Sequence, residues 1–129
     1  MHLCETDSAK ILSVATSYLG HPYSLEFDCI KFVRTVYKEI GIIIPKLYSY
    51  APPREFNIIR EQLLSPPIGH LMFLKDPKDP RKHRDWTHVV IIGVENTCIH
   101  CSIFFGEKVV ITPLAEIFKT YDFAESITT

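Results

Sequence analysis

The sequence has few cysteines, and none of its apolar stretches approaches the length needed to cross a membrane. Its four cysteines, at positions 4, 29, 98 and 101, are too few for a disulfide-built scaffold, so we expect mostly reduced thiols and no membrane insertion. Residues 1–8 also lack the apolar segment of a conventional signal peptide. We therefore expect a cytoplasmic protein, an effector secreted by another route, or an excised domain of an exported protein.

An excess of basic residues is missing as well. The 14 lysines and arginines are balanced by 15 aspartates and glutamates, for a formal net charge of −1. A nucleic-acid-binding surface needs a strong basic excess or a basic stripe, so nucleic acid is not an expected partner. The composition, 47% hydrophobic and 22% charged, is ordinary for a globular protein. We expect a single domain over residues 1–129, long enough to bury a core.

Helices with apolar faces are predicted in the first half of the chain. Asp7–Ser8 offers an N-cap for the first helix, which stops at Gly20. Asp28 is suited to cap the second helix, which ends at Gly41. The apolar stripe of that second helix comprises Ile30, Val33, Val36, Tyr37 and Ile40. A short third helix is predicted over residues 54–64.

From residue 70 onwards the apolar pattern changes to one that is typical of strands. Four strands are predicted, over residues 70–74, 87–94, 97–103 and 108–112. The second and third form an antiparallel hairpin across Glu95 and Asn96, and a helical turn over residues 114–120 follows the fourth. The charged loop over residues 75–85 is expected to be exposed, as a solvated excursion, a lid or a partner contact. Helices followed by an antiparallel sheet predict an α+β fold.

One cysteine lies at an unusual place for a structural thiol. In the segment EFDCIKFVR, Cys29 directly follows the predicted cap Asp28, between a polar loop and a helix. The positive end of a helix dipole lowers the pKa of a thiol at such a position. A cysteine taken alone is more often a buried structural residue than a nucleophile. Its role therefore depends on whether a base lies within reach.

Strand parity provides two candidate partners for this thiol. A hairpin register that turns His88 and His100 to the same side makes the two imidazoles close or diagonal neighbours. If the helix of Cys29 packs on that side, the three side chains form a Cys-His-His arrangement. His88 would then take the thiol proton, and His100 would hold His88 in the useful tautomer. The backbone N–H at the helix start, with the Tyr23 hydroxyl, would stabilise an oxyanion.

Three blocks of the sequence resemble those of the NlpC/P60 family of papain-like cysteine peptidases. They are LGHPYSLEFDCIKFVRTVYKEIGIIIP, GHLMFL and THVVIIG…CIHCS, and their order and approximate spacing match over roughly residues 9–112. The resemblance implies a papain-like core, N-terminal helices packed on an antiparallel sheet, with no metal and no organic cofactor. It also implies cleavage of amide bonds in bacterial cell-wall peptides, typically between D-glutamate and a diamino acid. The implied partner is a peptide or a peptidoglycan fragment.

By the same resemblance, the catalytic cysteine falls on Cys29, the base on His88 and the third polar residue on His100. Tyr23 takes the position of the tyrosine that commonly lines the site in this family. Water would hydrolyse the thioester that Cys29 forms with the substrate.

The neighbours of the cysteine depart from the family pattern. Asp28 and Ile30 flank it, and we group them with Tyr23 as candidate oxyanion or substrate-binding residues. The family usually follows its cysteine with a small hydroxyl residue and a glycine, whereas this chain has Ile30 and Lys31. The acid of the family's G-D-L block is replaced by His70. These departures predict a divergent member, for which a different amide or acyl substrate is an alternative to the cell-wall peptide.

Other interpretations of these residues stay open. The same thiol would also serve acyl transfer or deamidation, and the domain could be an inactive binding module. Cys98 and Cys101 suggest zinc, but one pair is a weak signal, and strand residues three apart point to opposite faces. Tyr23 is as compatible with packing as with an oxyanion role. The simplest interpretation of three further histidines is a surface or loop position: His21, His70 and His83.

Overall fold

The computed structural model describes residues 3–44, 59, 61–81 and 85–124. Within these ranges the chain forms three helices and a five-stranded antiparallel sheet. The elements are α1 (Glu5–Ser17), α2 (Cys29–Glu39), β1 (Leu71–Lys75), β2 (His88–Ile92), β3 (Thr97–Ser102), β4 (Lys108–Pro113), α3 (Leu114–Thr120) and β5 (Asp122–Phe123). The predicted α+β class is confirmed.

The first helix begins earlier than predicted. α1 starts at Glu5, and Cys4 occupies the N-cap position without a side-chain cap hydrogen bond. The predicted cap at Asp7–Ser8 is therefore wrong, because Asp7 already lies in the first turn. Carboxylates are favourable there, since they face the positive end of the helix dipole. Gly20 has a φ of 86°, which suits the glycine stop that was predicted.

The second helix has the predicted cap and the predicted end. The Asp28 side chain accepts a hydrogen bond of 2.9 Å from the Lys31 backbone N–H, and Gly41 has a φ of 87° just after the helix. Four residues of α2 are fully buried: Phe32, Val33, Val36 and Tyr37. They pack against the face of the sheet that also contacts α1. Burial of this apolar stripe fixes how the start of α2 meets the sheet.

The strands run in the order β4-β3-β2-β1-β5, and every neighbouring pair is antiparallel. The predicted hairpin turn joins β2 to β3. Glu95 and Asn96 both have positive φ, at 54° and 56°, as in a type I′ turn whose twist matches that of the strands. β5 was not predicted, because a two-residue strand shows no periodicity. It pairs with the edge of β1 and closes the side of the sheet opposite β4.

Both faces of the sheet are covered. The face under α1 and α2, here called the helix face, includes Leu71, Phe73, Val89, Ile91, Ile99, Cys101 and Val109. The opposite face, here called the α3 face, includes Met72, Leu74, Val90, Ile92, Cys98, Leu114, Ile117 and Tyr121. The predicted helical turn over residues 114–120 is confirmed as α3, and it supplies part of this second cover.

Most of the predicted helix over residues 54–64 lies outside the described residues. Ile59 and residues 61–64, which are described, are not helical. His83 also lies outside the described residues. Among the helices that the structure describes, none has the length and apolar character needed to span a bilayer.

Candidate active site

The candidate nucleophile lies at the start of a helix, in contact with the sheet. Cys29 is the first residue of α2 and is half-buried. The backbone N–H groups of Val89 and Ile30 hydrogen-bond its sulfur. Because Val89 directly follows His88 in β2, the thiol meets the sheet at the strand that bears the candidate base.

The thiol occupies a place where two strands separate. β2 and β3 pair at only two positions, both close to the hairpin turn. The same register would pair Val89 with Cys101, but the N–H of Val89 is directed at the Cys29 sulfur instead. The Cys101 thiol in turn donates to the Phe27 carbonyl, at 3.4 Å. The first residue of α2 therefore takes up a backbone N–H that a continued ladder would use, and the loop before α2 accepts from a side-chain thiol of β3.

The structure brings the two predicted imidazoles together. The Nε2 atom of His88 lies 2.7 Å from Nδ1 of His100, and both rings are buried. His88 is diagonal to His100 across the gap between β2 and β3, which is a spacing that long side chains can bridge. The second ring nitrogen of His100 lies 2.9 Å from the Thr112 hydroxyl on β4. A buried hydrogen-bonded line thus crosses three strands.

This line lies on the α3 face, whereas α2 packs on the helix face. The condition that the helix of Cys29 packs on the side of the two imidazoles is therefore not met. Residues on one strand alternate between faces, so Val89 turns to the helix face while His88 turns away from it. The thiol approaches the histidine strand where β2 and β3 separate, rather than from above the imidazoles.

Burial controls the charge states in the site. It raises the pKa of the Cys29 thiol to about 12, and the charges of Asp28 and Cys101 add to the effect, against the hydrogen bonds from Val89 and Ile30. The expectation that the helix start lowers this pKa is therefore wrong for the resting site.

The two imidazoles respond to burial in the opposite direction. Burial, and then the neighbouring His100, hold the pKa of His88 well below its usual value. Burial also lowers the pKa of His100 to about 4. Both rings stay neutral because a positive charge on either would be removed from water. The resting site at neutral pH therefore contains a protonated thiol and two neutral imidazoles.

Two further residues belong to the site, and sequence reasoning missed both. The Tyr121 ring stacks on the His88 ring, with centroids 5.1 Å apart and planes 19° apart. A hydrogen bond links its hydroxyl to Ser102, while burial raises its pKa to about 12. Tyr121 follows α3, where no local pattern marks it. Thr112 could have been found by extending the parity argument from β3 to β4.

The remaining predicted residues surround the start of α2. Tyr23 is half-buried, and burial followed by the charges of Asp28, Cys29 and Cys101 raises the pKa of its hydroxyl. Asp28 uses its carboxylate as the helix cap. Ile30 packs against the core of the helix face.

His70 lies away from this group of residues. It precedes β1, where its carbonyl accepts a hydrogen bond from the Ile92 backbone N–H. The far end of β1 is the one that pairs with His88. The structure therefore does not bring His70 to the thiol.

The second cysteine pair is divided by the sheet. Cys98 lies on the α3 face and Cys101 on the helix face, as strand parity predicts. Among the described residues, no three histidine, cysteine or acidic side chains form a group that could hold a metal ion.

Comparison with solved structures identifies similar folds. The NlpC/P60 domain of the peptidoglycan hydrolase SagA is 26% identical, over 95% of this chain and 98% of that one, with a TM-score of 0.65. An NlpC/P60 family protein from Bacillus cereus ATCC 10987 is 25% identical, over 95% of this chain and 40% of that one, with a TM-score of 0.68.

A third structure, described as similar to a lipoprotein of the NLP/P60 family, comes from Staphylococcus aureus subsp. aureus Mu50. It is 21% identical, over 100% of this chain and 44% of that one, with a TM-score of 0.64, and supports the fold alone. The chain thus spans less than half of the second and third proteins. No family model and no curated protein matches the sequence. The fold is that of NlpC/P60 domains, and the resemblance that the sequence blocks indicated is confirmed at the level of the fold.

Proposed function

We propose that this chain is a cysteine hydrolase that cleaves amide bonds in bacterial cell-wall peptides. Cys29 is the nucleophile, His88 the general base, and His100 the residue that orients His88. The observation that carries the proposal is the 2.7 Å contact between His88 Nε2 and His100 Nδ1. It occupies one nitrogen of His88 and leaves Nδ1 as the atom for the thiol proton.

The first step transfers the proton of the Cys29 thiol to His88 Nδ1. Neither charge is favourable alone in this buried site, but the thiolate and the imidazolium form together and stabilise each other. The N–H groups of Val89 and Ile30 are already directed at the sulfur. His100 accepts a hydrogen bond from the Nε2–H group of His88, and this hydrogen bond holds the His88 ring in place.

The thiolate then attacks the amide carbonyl. The negative charge that develops on the carbonyl oxygen needs donors at the mouth of α2, where the first N–H groups have no partner within the helix. The Cys29 N–H is such a donor, and the second donor we propose is the Tyr23 hydroxyl, whose pKa responds to the charge of Cys29. His88 returns its proton to the leaving amine, which gives a thioester on Cys29. Water, deprotonated by His88, hydrolyses this thioester and restores the free thiol.

The substrate we favour is a peptidoglycan fragment. The domain of SagA, which covers nearly the same length as this chain, belongs to a protein described as a peptidoglycan hydrolase. The expected products are a free carboxylate on the acyl side and a free amine on the other.

The test is digestion of soluble fragments of purified peptidoglycan, with the products identified by mass spectrometry. Wild-type protein should split a stem-peptide amide, and Cys29→Ala should reduce the rate by at least about 1,000-fold, as removal of a nucleophile does. Cys4→Ala is the matched control, because Cys4 is an exposed thiol at the start of α1. It should cleave at the wild-type rate.

Two results would contradict the proposal in different ways. Cleavage that survives in Cys29→Ala would remove the residue assignment. Intact fragments, together with a trapped acyl group on Cys29 from another amide or ester, would remove the peptidoglycan substrate while leaving the thiol chemistry in place.

A second candidate is acyl transfer or deamidation on another substrate. Its support is the apolar side chain of Phe104, which is 63% exposed and whose ring lies 6.4 Å from that of Tyr121, the residue stacked on His88. Such a rim favours an apolar acyl group. If the thioester passed to an added primary amine faster than to water, this candidate would replace hydrolysis.

A further inference from the structure

We propose that Thr112 is a positioning residue for the candidate base, acting through His100 to keep the reactive nitrogen of His88 free of a proton. Its contact with His100 is given by the hydrogen-bond geometry, and the direction of that hydrogen bond follows from the role proposed for His88. Its effect on rate rests on the proposed function of Cys29 and His88.

The geometry is a chain of two hydrogen bonds across three strands. His88 on β2 contacts His100 on β3 at 2.7 Å, and the other nitrogen of His100 contacts the Thr112 hydroxyl on β4 at 2.9 Å. Thr112 is directly opposite Cys98 in the β3–β4 ladder and so is diagonal to His100 on the same face. All three side chains are buried, with Thr112 only 6% exposed.

The surroundings make this line of polar groups unusual. The other buried residues of the α3 face are apolar or sulfur-containing, apart from the Tyr121 ring and Ser102. A buried polar atom in such a layer is costly unless it has a hydrogen-bond partner. Valine has the shape of threonine and would fit a purely packing role. The hydrogen bond to His100 is therefore the reason for a hydroxyl at position 112.

The direction of the protons follows from the role of His88. To take the thiol proton at Nδ1, a neutral His88 must carry its own proton on Nε2. That proton is donated to His100 Nδ1, so His100 must carry its proton on Nε2. In this arrangement the Thr112 hydroxyl, 2.9 Å from His100 Nε2, accepts the hydrogen bond from that N–H.

Loss of the acceptor at position 112 would favour the opposite arrangement. His100 with its proton on Nδ1 would donate to His88 Nε2, and the His88 proton would then have to lie on Nδ1. That is the atom which must be free to receive the thiol proton. Double protonation offers no escape at neutral pH, because burial disfavours the charged form of both rings.

The direct test is nitrogen-15 NMR of the histidine rings in folded protein, which distinguishes the two neutral tautomers. In the wild type, His88 and His100 should both carry the proton on Nε2. Thr112→Val, which keeps the shape and removes the hydroxyl, should move a substantial part of the population to Nδ1. Thr112→Ser, which keeps the hydroxyl, should retain the wild-type pattern. Far-UV circular dichroism confirms that each variant is folded.

The kinetic test uses the same variants on a cleaved substrate. Thr112→Val should lower kcat by roughly 10- to 100-fold, the range expected when a buried donor loses its acceptor, with little change in KM. Thr112→Ser should stay within a few fold of the wild type. In a His100→Asn background the valine substitution should add almost nothing, because no imidazole remains to be oriented.

The outcomes separate this proposal from the proposed function. A wild-type His100 protonated on Nδ1, or unchanged tautomers in Thr112→Val, would overturn the positioning role of Thr112. The wild-type spectrum alone decides the first point, even if the valine variant does not fold. Tautomers that shift as expected in a protein that cleaves nothing would support the role of Thr112 and count against the hydrolase.

Discussion

At the scale of single residues, the protonation state of the Cys29 thiol depends on two opposing effects, which are burial and the helix terminus. A helix start favours a thiolate by about 1 kcal/mol or less in most settings, whereas burial of a charged group costs considerably more. The pKa of Cys29 is accordingly raised to about 12. The position at the start of α2 is therefore not sufficient to activate the thiol, and a base must take its proton.

This argument predicts how Cys29 reacts with iodoacetamide. In a Cys4→Ala background, His88→Gln should slow alkylation of Cys29 at neutral pH, because no base removes the proton. Between pH 7 and pH 10 the rate of Cys29 alkylation in His88→Gln should rise roughly tenfold per pH unit without a plateau, since the thiol pKa lies at about 12. Mass spectrometry of the labelled peptide measures the rate.

The exposed residue His21 provides the matched control, and His21→Gln should label as the background protein does. Equal pH–rate profiles for His88→Gln and the background protein would show that His88 does not take the proton.

The buried imidazoles also predict acid sensitivity. In the unfolded chain His100 binds a proton near its ordinary pKa of 6.5, whereas in the folded protein it does so only at about 4. Neutral His100 therefore contributes roughly 3 kcal/mol to the unfolding free energy. This contribution is fully present above pH 6.5 and is lost as the pH falls towards 4. His88 acts in the same direction. Urea unfolding at a series of pH values measures the effect.

In that experiment, His100→Asn should reduce the slope of unfolding free energy against pH in this window. Replacing the exposed His21 by Asn should leave the slope unchanged. A slope that is identical in His100→Asn and the wild type would contradict the assignment of the acid sensitivity to His100.

At the scale of elements, the cap of α2 connects folding to the site. The Asp28 carboxylate holds the first turn by accepting from the Lys31 N–H, and the same charge raises the pKa of Cys29. The first effect is a hydrogen bond and the second is a charge, so substitutions can separate them. Asparagine keeps the capping oxygen without the charge, whereas alanine removes both.

We therefore predict that Asp28→Ala lowers the unfolding free energy by about 1 kcal/mol and also lowers activity, because the turn that presents Cys29 loses its cap. Asp28→Asn should keep the stability within a few tenths of a kcal/mol. It should also label at Cys29 as fast as the wild type or faster. Urea denaturation and alkylation rates measure the two effects. Equal loss of stability in both variants would show that the charge, rather than the hydrogen bond, is what matters.

The helix and strand elements themselves were largely predictable from local sequence. α2, the hairpin at Glu95–Asn96 and α3 follow from capping residues, apolar period and turn chemistry, which act over a few neighbouring residues. α1 begins three residues before the expected cap residue Ser8, and the prediction failed because Asp7, a carboxylate of the first turn, resembles a capping residue. β5 escaped prediction because its pairing with β1 depends on residues far away in the chain.

At the scale of the whole molecule, one sheet separates two apolar layers and carries a polar line on one of them. We propose that residues 1–129 form one catalytic domain that unfolds as a single unit. The basis is that adjacent residues of β2 pack into different apolar layers. Ile91 packs on the helix face, and Ile92 packs on the α3 face.

This predicts that Ile91→Ala and Ile92→Ala each lower the unfolding free energy by about 2–5 kcal/mol, the usual cost of such truncations in a core. Trp86 is buried on the helix face and reports on that layer through its fluorescence. In Ile92→Ala, fluorescence and far-UV circular dichroism should show the same lowered midpoint in urea. A fluorescence midpoint that stays at the wild-type value would mean that the two layers unfold separately.

The sequence by itself determined the α+β class, the capped helix that begins at Cys29, and the shared strand face of His88 and His100. Each of these follows from patterns within one element or one hairpin, where chain geometry leaves few alternatives. Only the tertiary structure decided that α2 packs on the other face and that its first residue meets β2 where the strands separate. Periodicity identifies the faces of an element but not which partner covers each face.

The tertiary structure also decided the charge states and the supporting residues of the site. Desolvation of Cys29 and the two histidines depends on neighbours that are distant in the chain, so the pKa values could not follow from the helix start alone. Tyr121 and Thr112 reach the histidines from α3 and β4 by packing and cross-strand register. Local sequence specified the candidate reactive groups, and long-range packing specified their protonation and orientation.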